Sequence, residues 1–128
     1  MDLVKFIETN AVGFLVSCTS SKHAQIRYSA YLLLARFHGL VQEKNFRGKP
    51  QILLCLDLFR NGILTCDLPN PQKTSSVVTI FVAHALVILL NPQHYLYPQI
   101  NKFLLQRPLM DLEVFFFIYL FFFFPFFF

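Results

Sequence analysis

Glycine, cysteine and acidic residues are scarce in this chain of 128 residues, with four Gly, three Cys and seven Asp plus Glu, and each scarcity excludes something. Glycines at 13, 39, 48 and 62 make no Gly-rich phosphate loop. Cys18, Cys55 and Cys66 lack CxxC spacing and mostly sit in apolar runs, so they suggest neither a disulfide framework nor a zinc site. A reducing compartment, cytosol or nucleus, fits that usage best. Asp57, His84, His94 and Cys55 are dispersed, no Ser or Cys occupies a nucleophile turn, and no His or carboxylate pair has metal-ligand spacing. The expectation is therefore of no enzyme, no cofactor and no bound metal. A secretory leader is not expected either, because Asp2 and Glu8 flank a short apolar run where a basic segment and a longer apolar one are needed.

The shortage of acids is local. The formal net charge is +4, and between residues 22 and 60 the basic side chains of Lys22, Arg27, Arg36, Lys44, Arg47, Lys49 and Arg60 meet only Glu43 and Asp57. These are the candidate residues for facing a partner or RNA. No aromatic side chains are interleaved among them as stacking platforms, so a solvated face of two helices is the reading the composition favours.

What the chain does have is helical periodicity. Ile26, Ala30, Leu33, Leu34 and Phe37 recur at 3.6-residue spacing, with Lys22, Gln25, Ser29, Arg36 and Glu43 on the opposite side, and predict a helix from about Lys22 to Val41. Arg27, one step off the stripe, is placed to reach the carbonyl end of a neighbouring helix or an acidic group. An apolar residue followed by Arg, then Ala, Leu and Phe at this spacing resembles the inner helix of HEAT and armadillo repeats. Upstream, Leu3, Ile7, Ala11, Phe14, Leu15 and Cys18 predict one broken helix or two short ones, with Asn10 as an N-cap. Pro50 suits the first turn of a further helix carrying Ile52, Cys55, Leu56, Phe59 and Ile63, ended by a left-handed Asn61-Gly62 cap.

Residues 65–76, with two prolines and a polar run, read as a loop without regular structure, a shortened or disordered insertion. Val77 to Leu90 has strand-favouring Val and Ile content but helical length, and predicts a central helix buried nearly all round. Its fourteen residues fall short of the roughly twenty a membrane span needs. His84 within it is expected to be a core or groove histidine bonded to a neighbour. A short helix begins at Pro98 and carries Ile100, Phe103, Leu104 and Arg107. The fold class expected from these elements is all-α, a HEAT/armadillo-like helical repeat or α-solenoid fragment.

Three blocks carry a more specific resemblance: RYSAYLLLARFHGL, FRGKPQILLCLDLFRNGI and NPQHYLYPQINKFLLQRPLMDL. With Leu90-Asn91-Pro92, Tyr97-Pro98, Asn101 to Leu105 and Arg107-Pro108 weighing most, they resemble the C-terminal domain of the nucleolar pre-ribosomal-associated protein 1 family over about Ala11 to Leu112. That resemblance implies a non-catalytic piece of a very large nucleolar α-solenoid scaffold acting in large-subunit ribosome assembly and pre-rRNA processing. Implied partners are pre-ribosomal assembly factors and pre-rRNA, and the implied location is the nucleus and nucleolus. It brings no catalytic residues with it.

Two segments follow: residues 1–113 as the helical-repeat part and residues 114–128 as a low-complexity Phe-rich tail, where ten of the seventeen Phe residues lie. A polypyrimidine tract read in frame gives such a peptide, which points to a truncated or alternatively spliced product. The competing reading is a small tail-anchored membrane protein. Against it, fifteen residues of helix span about 22 Å where the hydrocarbon needs ~30 Å, and Pro125 interrupts them.

Overall fold

The apolar segment near residues 77–90 lies where its composition demands, in the middle. In the computed structural model, which describes residues 2–106, it forms α5 (Ser76–Ile88). Ser75 caps it by accepting the Val77 N–H on Oγ at 3.2 Å. Before it come α1 (Leu3–Glu8), α2 (Ala11–Cys18), α3 (Ala24–Glu43) and α4 (Lys49–Asn61); α6 (Tyr97–Leu105) follows. The described residues contain no strand.

The main partner of α5 is α2; α4 and α1 cover further parts of it. Val78, Phe81, Val82, Ala85, Leu86 and Ile88 are buried, whereas Ile80, His84 and Val87 form an exposed strip. His84 is thus a surface residue of α5 and not a core histidine. Helix α3 packs on α2 and α4, and α6 packs on α4. Phe81 of α5 meets Phe103 of α6 edge-on, with ring centroids 5.4 Å apart at 75°. One continuous core runs through all of these elements, from Leu3 and Ile7 to Leu104.

The segment expected as one broken helix or two short ones is two. Asp2 caps α1 through Oδ1, which accepts the Lys5 N–H at 3.2 Å. At Asn10 the backbone turns left-handed, φ 65°, and its side chain makes no capping bond. That turn re-registers the chain: Val12, Gly13 and Val16 face inward, and Phe14, expected inside, is 66% exposed. Gly13 sits at the contact of α2 with α5. A Cβ there would lie 2.9 Å from the Ala83 Cβ and 2.1 Å from Asn10 Oδ1, so only glycine lets the helices approach this far.

Helix α3 departs from expectation in its rotation. The buried side chains are Arg27, Ala30, Tyr31, Leu34, Phe37 and Val41, whereas Ile26 and Leu33 are 45% and 44% exposed. Its apolar surface is wider than the face its neighbours cover, and a tyrosine and an arginine extend the inner face in place of Ile26 and Leu33. The stripe of α4 is buried as expected at Ile52, Cys55, Leu56 and Phe59. Its ends differ, because Gly62 at the C-cap has an ordinary φ of −82° and the left-handed glycine is Gly48, φ 94°, before the helix.

Two glycine substitutions separate packing from propensity. Gly13→Ala is expected to destabilise by about 1–3 kcal/mol through the α2–α5 clash. Gly39→Ala, on α3 with nothing within 4 Å of the added methyl, is expected to stabilise by up to about 1 kcal/mol. Urea midpoints compared at constant m-value check both.

Candidate partner-binding surface

The α3–α4 hairpin carries most of the basic side chains, and the fold distributes them unequally. Lys22 precedes α3, Arg36 lies on its outer side, Lys44 and Arg47 lie in the connection to α4, and all four are exposed. Lys49 opens α4 half-buried, its Nζ donating to the Gln42 carbonyl at 2.7 Å. Arg60 in the last turn of α4 is exposed and pairs with Asp57, Nη2 to Oδ1 3.2 Å. Helix α3 has 20 residues, hence a length of about 30 Å, so Lys22 at one end and Lys44 and Arg47 at the other belong to a band along the hairpin and not to one cluster.

Arg27 does not belong to that band. It is only 6% exposed, and its guanidinium points into the molecule. Nε donates to the Pro71 carbonyl at 2.8 Å, Nη1 to the Ser21 carbonyl at 3.0 Å and Nη2 to Asn70 Oδ1 at 3.0 Å. The reach to carbonyl groups expected of this residue exists, but the carbonyls belong to a turn and a loop. A partner-facing role for Arg27 is therefore replaced by an internal one. A planar fork of fixed donors suits three acceptors in this arrangement, and a buried charge needs them.

The loop that Arg27 holds is the connection between α4 and α5, residues 62–75, and it is an ordered strap. The Thr19 and Thr74 hydroxyls share a buried hydrogen bond of 2.6 Å, and the Thr74 N–H donates to the Thr19 carbonyl at 3.0 Å. Gln72 closes the strap on itself, its Oε1 accepting the Leu64 N–H at 2.7 Å and its N–H donating to the Thr65 carbonyl at 2.8 Å. The Tyr31 hydroxyl donates to the Gln72 carbonyl. Burial, helped by Cys66, pushes the Tyr31 phenol up to about 12, with Arg27 pulling the other way.

Between α3 and α4, beside the strap, lies a half-open hollow of about 220 Å³ lined by Tyr31, Leu34, Ala35, His38, Leu56, Phe59, Arg60, Ile63 and Cys66. It is apolar except at one edge, where His38 Nε2 lies 2.7 Å from Asp57 Oδ1, the same oxygen that Arg60 contacts. Sequence reasoning missed this feature. His38 and Asp57 are symmetrically placed about the turn at Arg47 and Gly48, which is the signal an antiparallel helical hairpin offers for cross-pairs.

Among the described residues no group of three or more His, Cys, Asp or Glu side chains is placed to hold a metal ion, and no helix is long and apolar enough to cross a membrane. The Phe-rich segment from residue 114, on which the tail-anchor alternative rests, and the proposed boundary at residue 113 lie outside the described residues, as does Arg107.

The fold defines an all-helical protein with no strand in its described part. A family model described as nucleolar pre-ribosomal-associated protein 1 matches residues 12–123, and the chain belongs to that family. Nucleolar pre-ribosomal-associated protein 1 of Mus musculus is 36% identical over 113 residues, and that of Homo sapiens 31% identical over 113 residues. Each alignment covers 88% of this chain and 5% of the relative, so the chain spans about a twentieth of the length of these relatives. No solved structure matches.

Removing the Arg27 fork should cost more than removing any exposed arginine. Arg27→Met is expected to destabilise by about 3–5 kcal/mol, because three acceptors lose their donor, and Arg27→Lys by about 2 kcal/mol, against less than about 0.5 kcal/mol for Arg36→Met. Urea titration measures the differences, and limited proteolysis within residues 62–75 reports release of the strap.

Burial pushes the Cys55 thiol from its ordinary 9.0 up to about 12. The unfolded chain therefore loses this proton at lower pH than the folded one. The stabilisation is complete below about pH 9 and is lost as pH rises towards about 12, with Tyr31 acting in the same sense above pH 10.0. Stability should thus fall steadily from pH 9 upwards, and iodoacetamide at pH 8 should label exposed Cys66 at once but Cys55 only in denaturant.

Proposed function

We propose that this chain is a non-catalytic scaffold segment that works in ribosome assembly in the nucleolus, on precursors of the large subunit and the processing of their rRNA. The observation that carries the reading is membership of the nucleolar pre-ribosomal-associated protein 1 family across residues 12–123. Relatives named as nucleolar and pre-ribosomal-associated align with 88% of the chain. The helical hairpins of residues 2–106 support an α-solenoid of HEAT or armadillo type, in which paired helices stack on neighbouring pairs. The exposed apolar side chains of Ile26, Leu32 and Leu33 on α3 are surface of the kind such stacking covers.

In this reading the chemistry is adhesion. The exposed basic residues Lys22, Arg36, Lys44, Arg47 and Arg60, with Lys49, supply a positive band for acidic assembly factors or the phosphates of pre-rRNA. Arg27 is excluded from it because its guanidinium is buried and bonded inward to Ser21, Asn70 and Pro71.

The test is sedimentation of a tagged full chain expressed in mammalian cells. The expected outcome is nucleolar staining and co-sedimentation with large-subunit precursors. Replacing Lys22, Arg36, Lys44, Arg47, Lys49 and Arg60 together by Glu should release the chain from those fractions, and dissociation of the unmodified chain should steepen with salt. A diffuse cytosolic chain that sediments free of particles would overturn the proposal.

A further inference from the structure

We propose that the hollow between α3 and α4 is a docking site for an acidic segment of a partner protein, which inserts one large apolar side chain between Leu34, Ala35 and Leu56. The inference rests on the scaffold reading and names the kind of partner that such a scaffold holds.

Size comes first. An apolar cavity of ~150 Å³ accommodates a benzene ring, and this one measures about 220 Å³. It therefore takes a phenylalanine or leucine side chain with room for the backbone to approach. The floor is fixed, because Leu34, Leu56 and Phe59 belong to the core and are under 10% exposed. The wall at Ile63 and Cys66 belongs to the strap held by Arg27. A preformed hollow of this kind spares an incoming side chain the cost of ordering its receptor.

Charge then selects the partner. Arg60 stands at the rim with one nitrogen on Asp57, leaving the rest of its fork for a second carboxylate. Asp57 already accepts from both His38 and Arg60, so the rim presents little free negative charge. Beyond it, the turn into α4 and its first residue carry Lys44, Arg47 and Lys49 against Glu43, and the strap adds Asp67 beside Cys66. An apolar anchor flanked by Asp or Glu complements both features.

A nucleotide base fits the same space poorly. The Tyr31 hydroxyl is committed to the Gln72 carbonyl and the His38 Nε2 to Asp57, so apart from the Arg60 fork at the rim the hollow offers a base little to bond. Phe59 is only 5% exposed and offers no stacking face. The observations thus favour a protein segment over RNA in the hollow itself.

The test uses the 128-residue chain and a short fluorescein-labelled peptide of glutamate and glycine with one central phenylalanine, read by anisotropy. Replacing the central residue by alanine should weaken binding by about tenfold or more, the change that burial of one large apolar side chain brings. Replacing the glutamates by lysine should abolish it. Ala35→Trp, which fills the hollow from an exposed position, should weaken the phenylalanine peptide as strongly, and Arg60→Glu should weaken it most at low salt. Equal affinity for the phenylalanine and alanine peptides overturns the proposal and needs no variant to fold. So does Ala35→Trp binding like the unmodified chain with an unchanged melting curve. Oligouridylate binding that competes with the peptide yet ignores Ala35→Trp would make the hairpin an RNA surface and overturn it as well. Peptide binding that fails while the chain still sediments with precursors refutes the docking site alone; selective peptide binding by a chain that ignores those particles refutes the scaffold reading.

Discussion

The three hydrogen bonds of the Arg27 guanidinium join parts of the chain that helix packing leaves separate. Ser21 belongs to the turn entering α3, and Asn70 and Pro71 belong to the strap between α4 and α5. Without this junction the Thr19–Thr74 pair, the Tyr31 hydroxyl and the packing of Ile63 on the core would hold the strap to the helices. The arrangement is unusual in its chemistry, since none of the three acceptors is a carboxylate. The buried charge is balanced by two carbonyl dipoles and one amide oxygen. That keeps the fork geometrically satisfied and leaves a net positive charge inside. Its influence extends to Tyr31, whose phenol would otherwise be pushed up further by burial.

The strap in turn shapes the hollow. Ile63 and Cys66 close one side of the space whose floor is Leu34, Leu56 and Phe59. A single buried arginine therefore connects local backbone order to the form of the surface. This is why Arg27 and Arg60, similar in sequence context, contribute so differently: one holds the wall in place and the other stands at the open rim.

Much of the fold was legible in the sequence. The six helical segments, the Pro-led starts of α4 and α6 and the central place of α5 all follow from periodicity and capping chemistry. What periodicity could not supply was rotation. On α3, Ile26 and Arg27 are adjacent, and hydropathy assigns the inside to isoleucine; the strap, which no local rule predicts, offers acceptors that bring the arginine in instead. At α2 the left-handed Asn10 shifts the inward face from Phe14 to Val12 and Val16, a change that depends on one dihedral angle. The strap itself read as shapeless because its order comes from residues far away in sequence, Thr19, Arg27 and Tyr31. The site was less legible than the fold: the basic band was visible as composition, but the hollow arises only when α3 and α4 lie side by side.

The same rotation explains why α3 holds more apolar surface than its neighbours use. Ile26, Leu33 and the intervening Ser29 line up on one exposed side, while Ala30, Leu34 and Phe37 occupy the buried one. Single exposed apolar residues are ordinary on any protein, but an aligned row on a helix that already has a complete inner face is what the scaffold reading proposed above would have a further helix cover. In a stack of helical pairs each inner helix needs two such faces, one for its own pair and one for the next. Arg36 borders that row and Arg60 the opposite groove, so charge is placed beside the apolar contacts and not within them. Contact with a further helix at Ile26 and Leu33 and capture of an acidic segment at the hollow are therefore compatible, because they use different sides of α3.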